Sequence, residues 1–182
     1  MDLSAKRLEL LKEVVPTASR VAVLWNPTHP TNPLQLRETQ AAAQALGVTL
    51  QPLDVRGSDD LDRAFAAMVR QRAVALLVLA DPLTVHHRRR LVDLAAKNRL
   101  PAMYPFREQV EAGGLMAYGP SLPNLYRRAA TYVDKILKEA KPADLPVEQP
   151  MRFEMVINMM TAKALGITFP QSILIRADQV IQ

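Results

Sequence analysis

AVALLVLADP, from Ala73 to Pro82, decides how this chain folds. Its first eight residues are all apolar and show no alternation between faces. A strand with one solvated face alternates; a strand covered on both faces does not, and such strands belong to parallel sheets. Asp81-Pro82 then ends the run, because proline removes a backbone donor and aspartate favours a turn. The run is the middle of a pattern that extends both ways.

Towards the N-terminus, Ser58 is expected to cap a helix carrying Leu61, Phe65, Met68 and Val69 on one face. VTLQPLDV before it reads as a strand, and Pro52 in its middle places that strand at a sheet edge. An alanine-rich helix precedes Gly47, with Asn32 as its expected N-cap and Pro33 in its first turn. Earlier still lies the strand Val21–Trp25, followed by a stiff loop with proline at 27, 30 and 33. A first helix, capped by Asp2 or Ser4 and stopped by Pro16, carries Leu8, Leu11 and Val15.

Towards the C-terminus, a helix is expected from Val85 to Lys97, then the strand PAMY, a short helix over Arg107–Ala112, and the strand LMAYG. Val21 to Gly119 thus alternates strand and helix five times. This predicts an α/β fold: a doubly wound parallel sheet with helices on both faces. The longest helix follows, from Pro123 to about Glu139, with Tyr126, Ala129, Ala130, Val133, Ile136 and Leu137 on one side. Lys141–Pro150 is a proline-rich connector, MRFEMVIN reads as a strand, MTAKALG as a short helix, and SILIRADQVI as one or two final strands.

The 182 residues, 49% of them hydrophobic, suffice for one core and an appendage. The net charge of +5 permits an anionic partner, but no basic stripe is interleaved with aromatics, so no nucleic acid is expected. Cysteine is absent, which excludes a disulfide framework and thiolate metal sites. No apolar run is long enough for a membrane span, and MDLSAKRLEL has no apolar signal core, so no export signal is expected in the sequence as written.

In a sheet of parallel strands, the segments after each strand share one edge, where ligands bind. Sequence order brings Asn26, Thr28, His29 and Asn32 there from the first strand, Arg56 and Ser58 from the second, Asp81 from the third, Tyr104 and Phe106 from the fourth, and Tyr118 from the fifth. The candidate ligand-binding set is Asn26, Thr28, Asn32, Asp81, Tyr104, Phe106 and Tyr118. Asp81 suits an ammonium group, and the aromatic residues suit an apolar ligand body. Each polar member is equally suited to an ordinary turn that bonds only its own backbone.

No dinucleotide, P-loop or nucleophile-elbow motif occurs, and neither catalytic residue, metal site nor cofactor is expected. His86 and His87 are adjacent, diverge around a helix, and precede Arg88-Arg89-Arg90; they read as a solvated basic face.

KRLELLKEVVP, RVAVLWNP, the long segment Gly113–Pro150, FEMVINMMTAKALG and RADQVI closely resemble the bacterial ABC-transporter substrate-binding proteins of the tryptophan/tyrosine type. The resemblance implies a two-lobed periplasmic-binding-protein-like type I receptor. It would be periplasmic or lipoprotein-anchored, non-enzymatic, and would hold a small molecule such as an amino acid for an ABC permease. It further implies that residues 1–120 form the C-terminal lobe, while 121–182 return to an N-terminal lobe missing here. The apolar stripe of the long helix then needs cover, and a homodimer through the C-terminal segment is the expectation. A small-molecule-sensing dimeric regulatory module, or a small α/β enzyme, stays open as an alternative on the same fold.

Overall fold

The structure, a computed structural model, describes residues 3–148 and 152–182. The expected Asp2 cap, the end of the connector at Gln149-Pro150, and the expected strand start at Met151 lie outside these residues.

The chain opens with α1 (Leu3–Val14), then β1 (Arg20–Trp25), α2 (Asn32–Ala45), β2 (Thr49–Asp54), α3 (Asp60–Arg70) and β3 (Ala75–Val78). It continues with α4 (Pro82–His86), α5 (Arg88–Lys97), β4 (Ala102–Tyr104), α6 (Arg107–Glu111) and β5 (Met116–Pro120). After α7 (Leu122–Leu137) come β6 (Phe153–Asn158), α8 (Met159–Leu165), α9 (Gln171–Arg176) and β7 (Gln179–Ile181).

The strands form one sheet of order β2-β1-β3-β4-β5-β6-β7. β1 to β5 are mutually parallel, and β2 is an edge strand, as Pro52 foretold. Strand alternation divides the core in two. Val21, Val23, Ala75, Leu77, Met103 and Met116 face the layer with α1 and α2. Ala22, Leu24, Leu76, Val78, Tyr104 and Ala117 face the layer with α3 and α5. This two-sided cover is why the Ala73–Ala80 run lacks alternation.

The final strands correct one expectation. β6 pairs antiparallel with β5, Gly119 opposite Glu154, and β7 pairs parallel with β6. Residues 153–182 therefore finish this sheet instead of belonging to another lobe. β6 buries Met155 and Ile157 on one face and Val156 on the other, so it needs a place with cover on both sides. α7 has no buried residue.

Smaller corrections have local causes. The segment Val85–Lys97 is expected as one helix, but α4 and α5 meet at a corner on His87. The N-cap of α3 is Asp59, and the Ser58 hydroxyl donates to the Asp59 carboxylate instead of capping. Val69 is 55% exposed, off the buried face of α3. SILIR is the helix α9, although its composition suits a strand. Ser172 and Arg176, one turn apart, both bond Glu13 of α1, each at 2.5 Å, and this pins the turn to the lobe.

Candidate functional site

The strand order reverses between β1 and β3, with β2 on one side and β4 on the other. Such a switch point leaves a crevice at the strand C-terminal ends. The first two candidate segments meet there, since Asn26 follows β1 and Asp81 lies just beyond β3.

They are fastened to each other. The Asn26 side-chain amide donates to the Asp81 carboxylate at 3.0 Å. The other Asp81 oxygen accepts the Leu83 backbone N–H at 2.6 Å and so caps α4. Asn32 is fully buried; its carbonyl oxygen accepts the Asn26 N–H at 3.0 Å, and its amide donates to the Ala80 carbonyl at 2.9 Å. The Asn26 oxygen accepts both the backbone N–H and the hydroxyl of Thr28, at 3.0 and 2.7 Å. The proline loop is thereby closed as a turn and tied to the end of β3.

This geometry revises several roles. Asn32 is not the N-cap of α2, a position held by Thr31; it brackets the ends of β1 and β3. Asp81, 4% exposed, has one protein hydrogen bond on each oxygen, so it serves the α4 cap and the β1–β3 bridge while it lines the cavity. Tyr104 is fully buried in the α3–α5 core layer and faces no ligand. The strand period explains this: Met103 takes one face of β4 and Tyr104 the other, directly over Gly114, where an added Cβ would lie 2.6 Å from the tyrosine ring. Burial pushes the Tyr104 phenol well above its ordinary pKa, and its hydroxyl has no partner among the described residues.

Phe106 stays at the edge, half-buried. Its backbone N–H donates to the Gln109 side chain at 3.2 Å, which fixes the start of α6. The Tyr118 ring sits 6.1 Å from that of Phe153, and its carbonyl accepts the Arg7 guanidinium at 2.6 Å.

Two neighbouring cavities open on this edge and share Gln35, Ala80 and Phe106. The larger, about 500 Å³, is lined among others by Asp81, His86, Arg88, Phe106, Leu122 and Tyr126. The smaller, about 390 Å³, includes Arg7, Glu38 and Pro120. Of the seven candidates, Asp81 and Phe106 line the larger cavity; Asn26, Thr28, Asn32, Tyr104 and Tyr118 line neither.

Sequence reasoning missed Arg7, Gln35, His86, Arg88 and Tyr126 as lining residues. The burial of Arg7 depends on Tyr118, 111 residues away, and no local pattern announces such a contact. The signal for Arg88 was the basic run itself, read as solvated because the corner at His87 was not foreseen.

Chain crossings gather at the same edge. α1 begins there, with Ser4 and Arg7 lining the smaller cavity; β5 leaves there at Pro120, and β6 enters there at Phe153, paired with Pro120. Gly119 marks the tightest point, since an added Cβ would lie 2.0 Å from the Pro105 carbonyl and 3.1 Å from the Arg7 guanidinium.

The family model described as ABC transporter substrate binding protein matches residues 1–181. A tyrosine-binding protein from Clostridioides difficile is 25% identical over 160 residues, covering 88% of this chain and 46% of that protein. A crystal structure of an ABC domain in complex with L-Trp from Streptococcus pneumonia superposes with a TM-score of 0.89 at 27% identity, covering 98% of this chain and 62% of that one. A conserved domain protein from Vibrio cholerae superposes with a TM-score of 0.88 at 25% identity, covering 99% of this chain and 60% of that one. The chain thus spans about half the length of the curated relative and about three-fifths of these solved structures.

Proposed function

The chain belongs to the ABC transporter substrate-binding protein family, and from that premise we propose that it forms one wall of a solute receptor for an ABC importer. The ligand is a small molecule such as an aromatic amino acid, held at the strand C-terminal edge. The observation that carries the reading is the cavity of about 500 Å³ at the switch-point edge, with Phe106 and Tyr126 for an apolar body and charged groups beside them. A tyrosine-binding relative and an L-Trp complex among the solved neighbours support the ligand class.

In this reading Asn26, Thr28, Asn32 and Asp81 act as scaffold. They close the proline loop and hold the β1 and β3 ends together, so the cavity wall is formed before ligand arrives and less entropy is lost on binding. The partners are an ABC permease and, over the part of the α7 stripe away from the cavity, at Val133, Ile136 and Leu137, a second copy of this chain. The compartment is periplasmic, or lipoprotein-anchored, by family; among the described residues no helix is long and apolar enough to cross a membrane.

A thermal-shift titration with L-tryptophan, L-tyrosine and L-phenylalanine tests the ligand class, since stabilisation grows with ligand concentration relative to Kd. A rise in Tm with concentration for at least one is expected; flat curves for all three at millimolar concentration rule the reading out. Light scattering tests the dimer, which a monomer at high concentration excludes.

A further inference from the structure

We propose that the negatively charged end of the ligand faces this lobe, against Arg88 and His86, and that this wall selects for a carboxylate and not for an amine. The inference rests on reading the larger cavity as the ligand site.

Arg88 and Asp81 are the guanidinium and the carboxylate that line that cavity, and the rings of His29 and His86 line it beside them. Asp81 is nearly buried, with one oxygen taken by the Leu83 N–H and the other by the Asn26 amide. Those two bonds already draw on its negative charge, whereas the Arg88 guanidinium keeps unused donors. Glu38 lies in the adjoining cavity, which Arg7 also lines.

Arg88 is differently placed. It makes no ion pair among the described residues, whereas its neighbour Arg90 pairs with Asp62. One guanidinium nitrogen donates to the Val85 carbonyl at 3.1 Å, across the α4–α5 corner. That bond anchors the group and leaves the rest of the planar fork for a carboxylate, which it matches in shape. His86 is held edge-on to His87, with ring centroids 4.7 Å apart, at the same rim. The break at His87 leaves Arg88, the first of the basic run, on the cavity, and Phe106 and Tyr126 give the apolar remainder of the ligand a wall.

Three probes of one shape separate the charges: 3-phenylpropionate, 2-phenylethylamine and L-phenylalanine. Saturation-transfer NMR titrations with the 182-residue chain measure each Kd. The acid and the amino acid are expected to bind within about tenfold of each other, and the amine at least tenfold more weakly, as for loss of one charge-assisted hydrogen bond. Arg88→Ala is expected to weaken the acid about tenfold and leave the amine unchanged, with Arg88→Lys recovering part of the loss. Should Arg88→Ala fail to fold, His86→Ala carries the same test with a smaller expected loss. An amine that binds as well as the acid, or an acid that binds these variants unchanged, overturns the orientation and leaves the proposed function standing. Absence of binding by all three probes ends the orientation, and the proposed function then stands or falls on the L-tryptophan and L-tyrosine titrations.

Discussion

Helices α3 and α7 carry the same kind of pattern and meet opposite fates. α3 buries Leu61, Ala64, Phe65 and Met68 against the sheet. α7 presents an apolar stripe of equal clarity, yet Tyr126 is 74% and Leu137 79% exposed, and none of its residues is buried. The 142–148 segment covers it only partly, through the Tyr132 hydroxyl on the Pro146 carbonyl at 2.7 Å and the Arg128–Glu148 pair. Amphipathicity states that a helix has a face to cover. It does not state what covers it, because that depends on where the rest of the fold puts the helix.

The contrast can be broken experimentally, and Phe65→Ala is the strongest attempt. It empties a core site on α3 and is expected to cost about 3–5 kcal/mol in urea unfolding. A loss below 1 kcal/mol would mean that α3 is no better packed than α7. Gly119→Ala strikes the seam between the two regions, where the new methyl group has no room beside the Pro105 carbonyl. Overpacking of this kind is expected to cost about 1–3 kcal/mol. The same urea titration checks it, and neutrality would show that the seam yields.

Asn32→Ala leaves the Asn26 N–H and the Ala80 carbonyl without their buried partner. An expected loss of about 2 kcal/mol follows from unsatisfied buried groups, together with faster amide exchange at Asn26. Glu13 is a milder case. The Ser172 hydroxyl foremost, and Arg176 after it, hold its carboxyl below the ordinary glutamate pKa, against a partial opposing effect of burial. Its folded pKa is depressed, so its contribution is present above the ordinary glutamate range and fades as pH falls through the lowered value. Glu13→Gln should therefore lower Tm slightly at neutral pH and converge with the parent protein in acid. Leu137→Ala closes the series: a change within about 0.5 kcal/mol is expected for the monomer. A larger loss that grows with protein concentration would reveal a partner on the stripe.

The fold was more legible in the sequence than the site, for reasons visible in single residues. Ala73–Ala80 declared a doubly covered strand, and Pro52 declared an edge, because each reports on its own backbone and its own two faces. Asn26 and Asp81 were placed at the right end of the sheet on the same grounds. What they bond was not legible: the Asn26–Asp81 contact joins residues 55 apart in the chain. Tyr104 was misjudged by one position, since a strand-end residue faces the crevice or the core according to its parity, and the short β4 left that parity open. The final strands failed as an expectation because sheet membership is decided by a free edge, here that of β5.

Periodicity, turn chemistry and strand order are properties of neighbours in the chain, and they determined the class of fold and the edge where a ligand would lie. Contacts between distant segments belong to packing: the buried Arg7 on the Tyr118 carbonyl, the closed polar bracket at the β1 and β3 ends, and the basic corner turned onto the cavity. Those depend on which surfaces meet and exclude water, a balance that no local stretch of residues contains and that only the assembled sheet and its helices settle.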